Sequence, residues 1–305
     1  MAVEFRENVP LDQSRVRYGG SGGGGGGRRG PGLAVGGGVG GLILVVLVVL
    51  LGGNPAELLG TLSGDQGTQQ TQGQLEPADP SKCANSNDVK TDPDCRWGIY
   101  EKALTDYWSQ AFEKGFEPPA AVQLFTGQIA TACGTGTSEM GPFYCPGDTT
   151  IYLDDEFMGQ LLQQLGTERS YAAEAYIVGH EYGHHISNLT GQMKAARASG
   201  NQTGPKSGQV RLELQADCYA GVFFANTTRD PDSPISKVTQ DDLDRIVEAA
   251  RAVGDDHIQQ QSGGRVVPES WTHGSSAMRK HWTSIGFESG DPARCDTFAT
   301  DNLGG

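Results

Sequence analysis

Two histidines bracket a glutamate in the string His180-Glu181-Tyr182-Gly183-His184. On an α-helix, positions i and i+4 share a face, so both imidazoles can reach one metal ion while Glu181 lies beside it. A zinc ion held in this way polarises a water molecule and a scissile carbonyl, and the intervening carboxylate takes the water's proton. The expected chemistry is peptide hydrolysis without a covalent intermediate, with His180 and His184 as zinc ligands and Glu181 as general base. Catalytic zinc ordinarily takes three protein ligands and keeps a fourth position for water, so another ligand must come from elsewhere in the chain. The extended HExxHxxGxxH pattern is not met, because Ser187 and Thr190 stand where Gly and His are needed. His185 follows His184 directly and points about 100° round the helix, away from the metal.

Downstream, Leu212-Glu213-Leu214-Gln215-Ala216-Asp217-Cys218 reads as a second apolar helix with carboxylates four residues apart. One carboxylate can ligate the metal while the other accepts a hydrogen bond from a ligand imidazole and fixes its tautomer. Spacing alone permits either assignment. His273 and Arg279, in WTHGSSAMRK, are candidate hydrogen-bond donors to the oxyanion of a tetrahedral intermediate.

The strings HEYGHHISN and RLELQADCYAGVFF, with FYCPGDTTIYLD before them and WTHGSSAMRKHW after, resemble the bacterial putative neutral zinc metallopeptidase family. The resemblance runs from the ENVPLDQSRVRYGG tail to the C-terminus, and the ELQAD block is its most specific part. HExxH with a later ExxxD is also similar to the gluzincin arrangement. It implies a compact, zincin-like α+β domain, mainly helical, with the active-site helix packed on a small sheet. It also implies Glu213 as the third ligand of one Zn2+ per chain, with Asp217 holding the outer nitrogen of His180 or His184.

Several elements must position these groups. Apolar and aromatic residues from Arg96 to Phe116 recur at helical spacing, and helices are expected at 156–165, 171–189, 210–226, 240–253 and 275–285. Residues 121–126 and 149–153 read as short strands, with TTIYL offering an edge to an extended peptide. Six cysteines contain no CxxC pair, so disulfides in an oxidising compartment are expected. Proximity in sequence pairs Cys83 with Cys95 and Cys133 with Cys145, leaving Cys218 for Cys295.

The 305 residues carry a net charge of −14; residues 1–53 contribute +2, so the remainder stands at −16. Such an acidic body excludes nucleic acid as a natural partner. Residues 1–32 are polar, Arg-dotted and Gly-rich, with six glycines in a row at Gly22 to Gly27, and read as a disordered cytoplasmic tail. Residues 33–53 hold no charge and no proline and span about 31 Å as a helix, enough for one membrane crossing. Arg28 and Arg29 before the span and Glu57 and Asp65 after it orient the N-terminus to the cytoplasm. Residues 54–80 read as a flexible linker and 81–305 as an extracytoplasmic metallopeptidase domain acting on peptides, with endopeptidase activity expected. Two other readings use the same residues: a zinc-stabilised binding module of the cell envelope, and a hydrolase of a non-peptide amide there. An intact Glu181 counts against the first, since a purely structural zinc needs no base.

Overall fold

The computed structural model describes residues 3–19, 76–77, 79, 82–198 and 200–305. It is an α+β protein in which helices dominate and small sheets cover one side. The described strands are β1 (Glu4–Phe5), β2 (Val16–Tyr18), β3 (Glu76–Pro77), β4 (Ala121–Leu124), β5 (Gln128–Thr131), β6 (Gly134–Thr137), β7 (Phe143–Cys145), β8 (Thr150–Leu153) and β9 (Ile235–Lys237). The α-helices are α1 (Arg96–Ala111), α2 (Asp155–Gln164), α3 (Tyr171–Leu189), α4 (Gln192–Ala198), α5 (Gly208–Thr227), α6 (Gln240–Ala252), α7 (Asp255–Gln261) and α8 (Ser276–Ser289).

Helix α5 is the axis of the molecule. Only Arg211 and Asn226 along it escape burial, as expected of a helix that is apolar all round. Ser207 begins it by accepting a hydrogen bond from the Val210 amide, and Ser170 and Ser275 cap α3 and α8 in the same way. Small residues let the neighbouring helices come close. A methyl group on Gly183 of α3 would lie 2.8 Å from the Ala216 Cα of α5. One on Gly286 of α8 would lie 2.0 Å from the Cys218 carbonyl oxygen. The Cys218–Cys295 disulfide, with 5.5 Å between Cα atoms, ties α5 to the segment after α8. The other two bridges are Cys83–Cys95 and Cys133–Cys145, so the two pairings expected from proximity and the one left by elimination are all present.

The main sheet has the order β3-β2-β4-β8-β7, with β2, β4 and β8 parallel and the outer strands antiparallel. Two expectations are corrected here. Strand β8, which contains TTIYL from Thr150, is not an edge: β4 and β7 flank it, and β7 holds the outer position among the described strands. Residues 3–19 are not a disordered tail. Val3, Val9, Gln13 and Val16 are buried, and β2 lies within the sheet with Val16 opposite Val122 and Tyr18 opposite Leu124. Composition misleads at this point because only a few apolar residues are present, yet each one meets the core. The folded unit likewise takes in residues 76–77, inside the stretch assigned to the linker. The apolar stretch 33–53 lies outside the described residues. Among the described residues no helix is long and apolar enough to cross a membrane.

A buried ion-pair cluster sets the entry to α3. Arg96 at the start of α1 reaches Glu174 of α3 at 2.8 Å and Asp155 of α2 at 2.6 Å, and Arg169 reaches Glu174 at 2.6 Å. Both carboxylates sit in the first turn of their helices, where the helix dipole favours negative charge.

Because α5 and α8 touch backbone to backbone, Gly286→Ala should act as an overpacking mutation costing about 1–3 kcal/mol. Thermal unfolding should then show a melting temperature lower by roughly 2–4 °C for each kcal/mol lost. An unchanged melting temperature would mean that the helices are not in such close contact.

Candidate metal centre

Helix α3 runs along the floor of a cleft of about 710 Å³ and presents His180, Glu181 and His184 to it. Across from it, α5 contributes Glu213. One ligand atom from each of His180, His184 and Glu213 lies within 4.8 Å of the others, and all three residues are buried or nearly so. His180 Nε2 stands 3.1 Å from one Glu213 oxygen, and His184 Nε2 stands 3.5 Å from the other. A tetrahedral ion with bonds of about 2.0–2.1 Å keeps its ligand atoms about 3.4 Å apart, and the two His–Glu213 distances of 3.1 and 3.5 Å lie on either side of that value.

The protonation pattern makes the same demand. His180 Nδ1 is 2.8 Å from Asp217 and donates to it, so in the neutral ring Nε2 carries a lone pair aimed at a carboxylate oxygen. Two lone pairs facing each other at 3.1 Å need a positive charge between them, which a proton on Nε2 or a metal ion can supply. Burial works to lower the His180 pKa, but Asp217 and Glu213 outweigh it and raise it to about 9, which shows how strongly this spot favours positive charge. Burial alone would raise the Glu213 carboxyl; the neighbouring imidazoles of His184 and His180 hold it well below the usual range. The residues present therefore fit a zinc ion held by His180, His184 and Glu213.

Asp217 does not join this cluster. It has no solvent exposure and receives His180 on one side and a forked ion pair from Arg279 on the other, at 2.7 and 2.8 Å. The Tyr176 hydroxyl donates to the same carboxylate. Burial pushes the Asp217 pKa up, and Arg279 with His180 more than reverses this, so the group stays ionised. Arg279, named from the sequence as a candidate oxyanion donor, lines the cleft but spends its guanidinium on Asp217, with further contacts to Tyr176, His180 Nδ1 and the Val253 carbonyl. Gln209, one turn before Glu213 on α5, donates to Glu213 at 2.8 Å; sequence inspection did not single it out.

His273 lines the same cleft. Its orientation comes from Asp255 at the start of α7, a residue that sequence reasoning missed. One Asp255 oxygen accepts the backbone amides of Thr272, His273 and Gly274 at 2.7–2.9 Å, and the other lies 3.3 Å from His273 Nδ1. Burial depresses the His273 pKa, but Asp255 overcomes this and raises it above the ordinary value. The Asp255 signal in the sequence was only a polar DDH at a helix start. Glu181 also faces the cleft. Burial raises its carboxyl above the usual value against the opposing pull of His184 and His180, which suits a base that must accept and release a proton.

His185 points away from this cluster, as its place on the helix requires. It is buried, takes a 3.0 Å hydrogen bond with Tyr144 of β7, and meets the Glu117 carbonyl at 2.7 Å. It therefore fastens the outer strand to the helix that carries the metal centre.

The chain is similar to known proteins over most of its length. The family described as putative neutral zinc metallopeptidase matches residues 4–298. The uncharacterized protein Rv2575 of Mycobacterium tuberculosis strain H37Rv is 42% identical over 258 residues, covering 82% of this chain and 87% of that protein. The uncharacterized protein YpfJ of Escherichia coli K12 is 42% identical over 199 residues, covering 63% of this chain and 67% of its own. No solved structure matches.

Removing a ligand and removing its hydrogen-bond partner should differ in kind. Metal analysis of the purified protein should find Glu213→Ala nearly devoid of zinc. Asp217→Asn, at matched folding by circular dichroism, should keep zinc with affinity reduced about 10- to 100-fold. If Asp217→Asn loses the metal and Glu213→Ala retains it, the two roles are exchanged.

Proposed function

Because the chain belongs to the putative neutral zinc metallopeptidase family, we propose that it hydrolyses peptide bonds at the His180–His184–Glu213 cluster. The observation that carries this reading is the convergence of two imidazole Nε2 atoms and a carboxylate on one point, with Glu181 beside them in an open cleft. A zinc ion at that point supplies Lewis acidity to a water molecule and to the scissile carbonyl. Glu181 takes the proton from the attacking water and passes it to the leaving amine. His273, protonated and held by Asp255, donates to the oxyanion of the tetrahedral intermediate. Asp217 keeps the His180 tautomer that leaves Nε2 bare, and Arg279 keeps Asp217 ionised.

Strand β7 supports an extended peptide as substrate. It is one of the two outer strands of the described sheet, and Phe143 and Tyr144 line the cleft beside the metal centre. A peptide paired to it can run past the site in both directions, which favours cleavage of internal bonds. The three disulfides support action in an oxidising compartment outside the cytoplasm.

Glu181→Gln should keep zinc and fold while lowering peptide turnover by at least about 10²–10⁴-fold, measured with a mixed peptide library in the presence and absence of a chelator. Near-normal cleavage by that variant would remove Glu181 as the base. If no peptide is cut by the zinc-loaded wild-type protein, the reaction class itself is wrong.

The pH profile tests His273 separately. Asp255 raises the His273 pKa, so neutralising it in Asp255→Asn lowers that pKa, and the protonated form is lost at lower pH. The alkaline limb of kcat/KM should move to lower pH, with zinc content unchanged. An unmoved alkaline limb would show that His273 does not act as a cationic donor.

A further inference from the structure

The N-terminal residues and the metallopeptidase domain are joined through one sheet, and this restricts how the chain can meet a membrane. Strand β2 lies between β3 and β4. Its Val16 has no exposure, and the Gln123 side-chain amide reaches back to the carbonyls of Arg17 and Gly19. Upstream, Val9 and Leu11 exchange backbone hydrogen bonds with residues 84 and 86, and the Arg6 amide donates to the Pro234 carbonyl at 2.7 Å. Phe5 pairs with Ile235. These contacts reach widely separated parts of the domain, so residues 3–19 are built in rather than laid on.

The connection 20–75 contains the whole apolar stretch 33–53. It leaves from the end of β2 and returns at β3, and the register sets Tyr18 directly opposite Glu76. The strand residues that flank it therefore lie one strand spacing apart, about 4.7–4.9 Å. A single crossing would put them on opposite faces of a hydrocarbon core about 30 Å thick. Both conditions cannot hold at once. The positive-inside rule gives an orientation bias from Arg28 and Arg29, whereas a strand inside a sheet requires its partners on the same side.

We infer that residues 3–19 and the metallopeptidase domain lie on the same side of any membrane that the 33–53 stretch meets, so that this stretch does not carry the chain across once between them. The N-terminus then shares the compartment of the disulfide-bonded domain and is not cytoplasmic while the domain is outside. This inference is independent of the proposed peptidase activity.

The exposed pair Glu7 and Lys90, 2.6 Å apart, gives a direct test. An exposed ion pair contributes little to stability, so Glu7→Cys and Lys90→Cys leave the fold intact. All six native cysteines are in disulfides and give no background. Cells making the full-length chain with either or both substitutions are treated with a membrane-impermeant maleimide, before and after permeabilisation. The double variant is also treated with a short bismaleimide. We expect both positions to become reactive under the same condition, and the double variant to give a crosslinked peptide pair joining residues 7 and 90. Labelling of the two positions from opposite sides would overturn the inference, and so would labelling from one side without the crosslink.

Discussion

A single buried carboxylate organises this protein. Asp217 has no solvent exposure, and an isolated charge there would be unaffordable without partners. Its three partners come from two other helices: His180 and Tyr176 on α3, and Arg279 on α8. Satisfying the charge therefore fixes α3 and α8 against α5. It also sets the tautomer of His180 and turns its other nitrogen towards Glu213. The apolar, small-residue contacts at Gly183 and Gly286 bring the helices close enough for these bonds to form. Removing Arg279 would leave the buried carboxylate without its compensating cation, which is why the charge and the packing cannot be separated.

Much of the metal centre was legible in the sequence because it is local. His180, Glu181 and His184 occupy adjacent turns of α3, whose boundaries at 171 and 189 follow directly from its cap and its apolar run. Glu213 and Asp217 also lie on one helix, but helical spacing could not tell them apart. Their difference arises from α8, since only the second carboxylate meets Arg279. The Asp255–His273 pairing was hidden for the same reason. Asp255 works mainly through the backbone amides of a loop 17 to 19 residues further on, and no side-chain pattern records that.

The fold was legible where periodicity is strong and illegible where it is short. The long helices fell within a few residues of expectation. Helix α7, with the sequence DDHIQQQ, has too little apolar surface to announce itself, and the β5–β6 hairpin is written largely in Gly and Thr. The N-terminal strands are harder still, because two or three residues contribute to each and their partners lie more than a hundred positions away. Low average hydrophobicity described the segment correctly, but it said nothing of where each valine goes.

The chain order of these contacts has a consequence for biosynthesis. The helix bearing the two histidines and the helix bearing both carboxylates precede α8, which carries Arg279, in chain order. Until α8 arrives, Asp217 lacks its cation and Cys218 lacks Cys295. A nascent chain, or a product truncated before α8, therefore holds every residue of the HExxH motif without a compensated centre to seat it. The charge balance around Asp217 and the third disulfide are thus completed together, once α8 and the segment after it have been made.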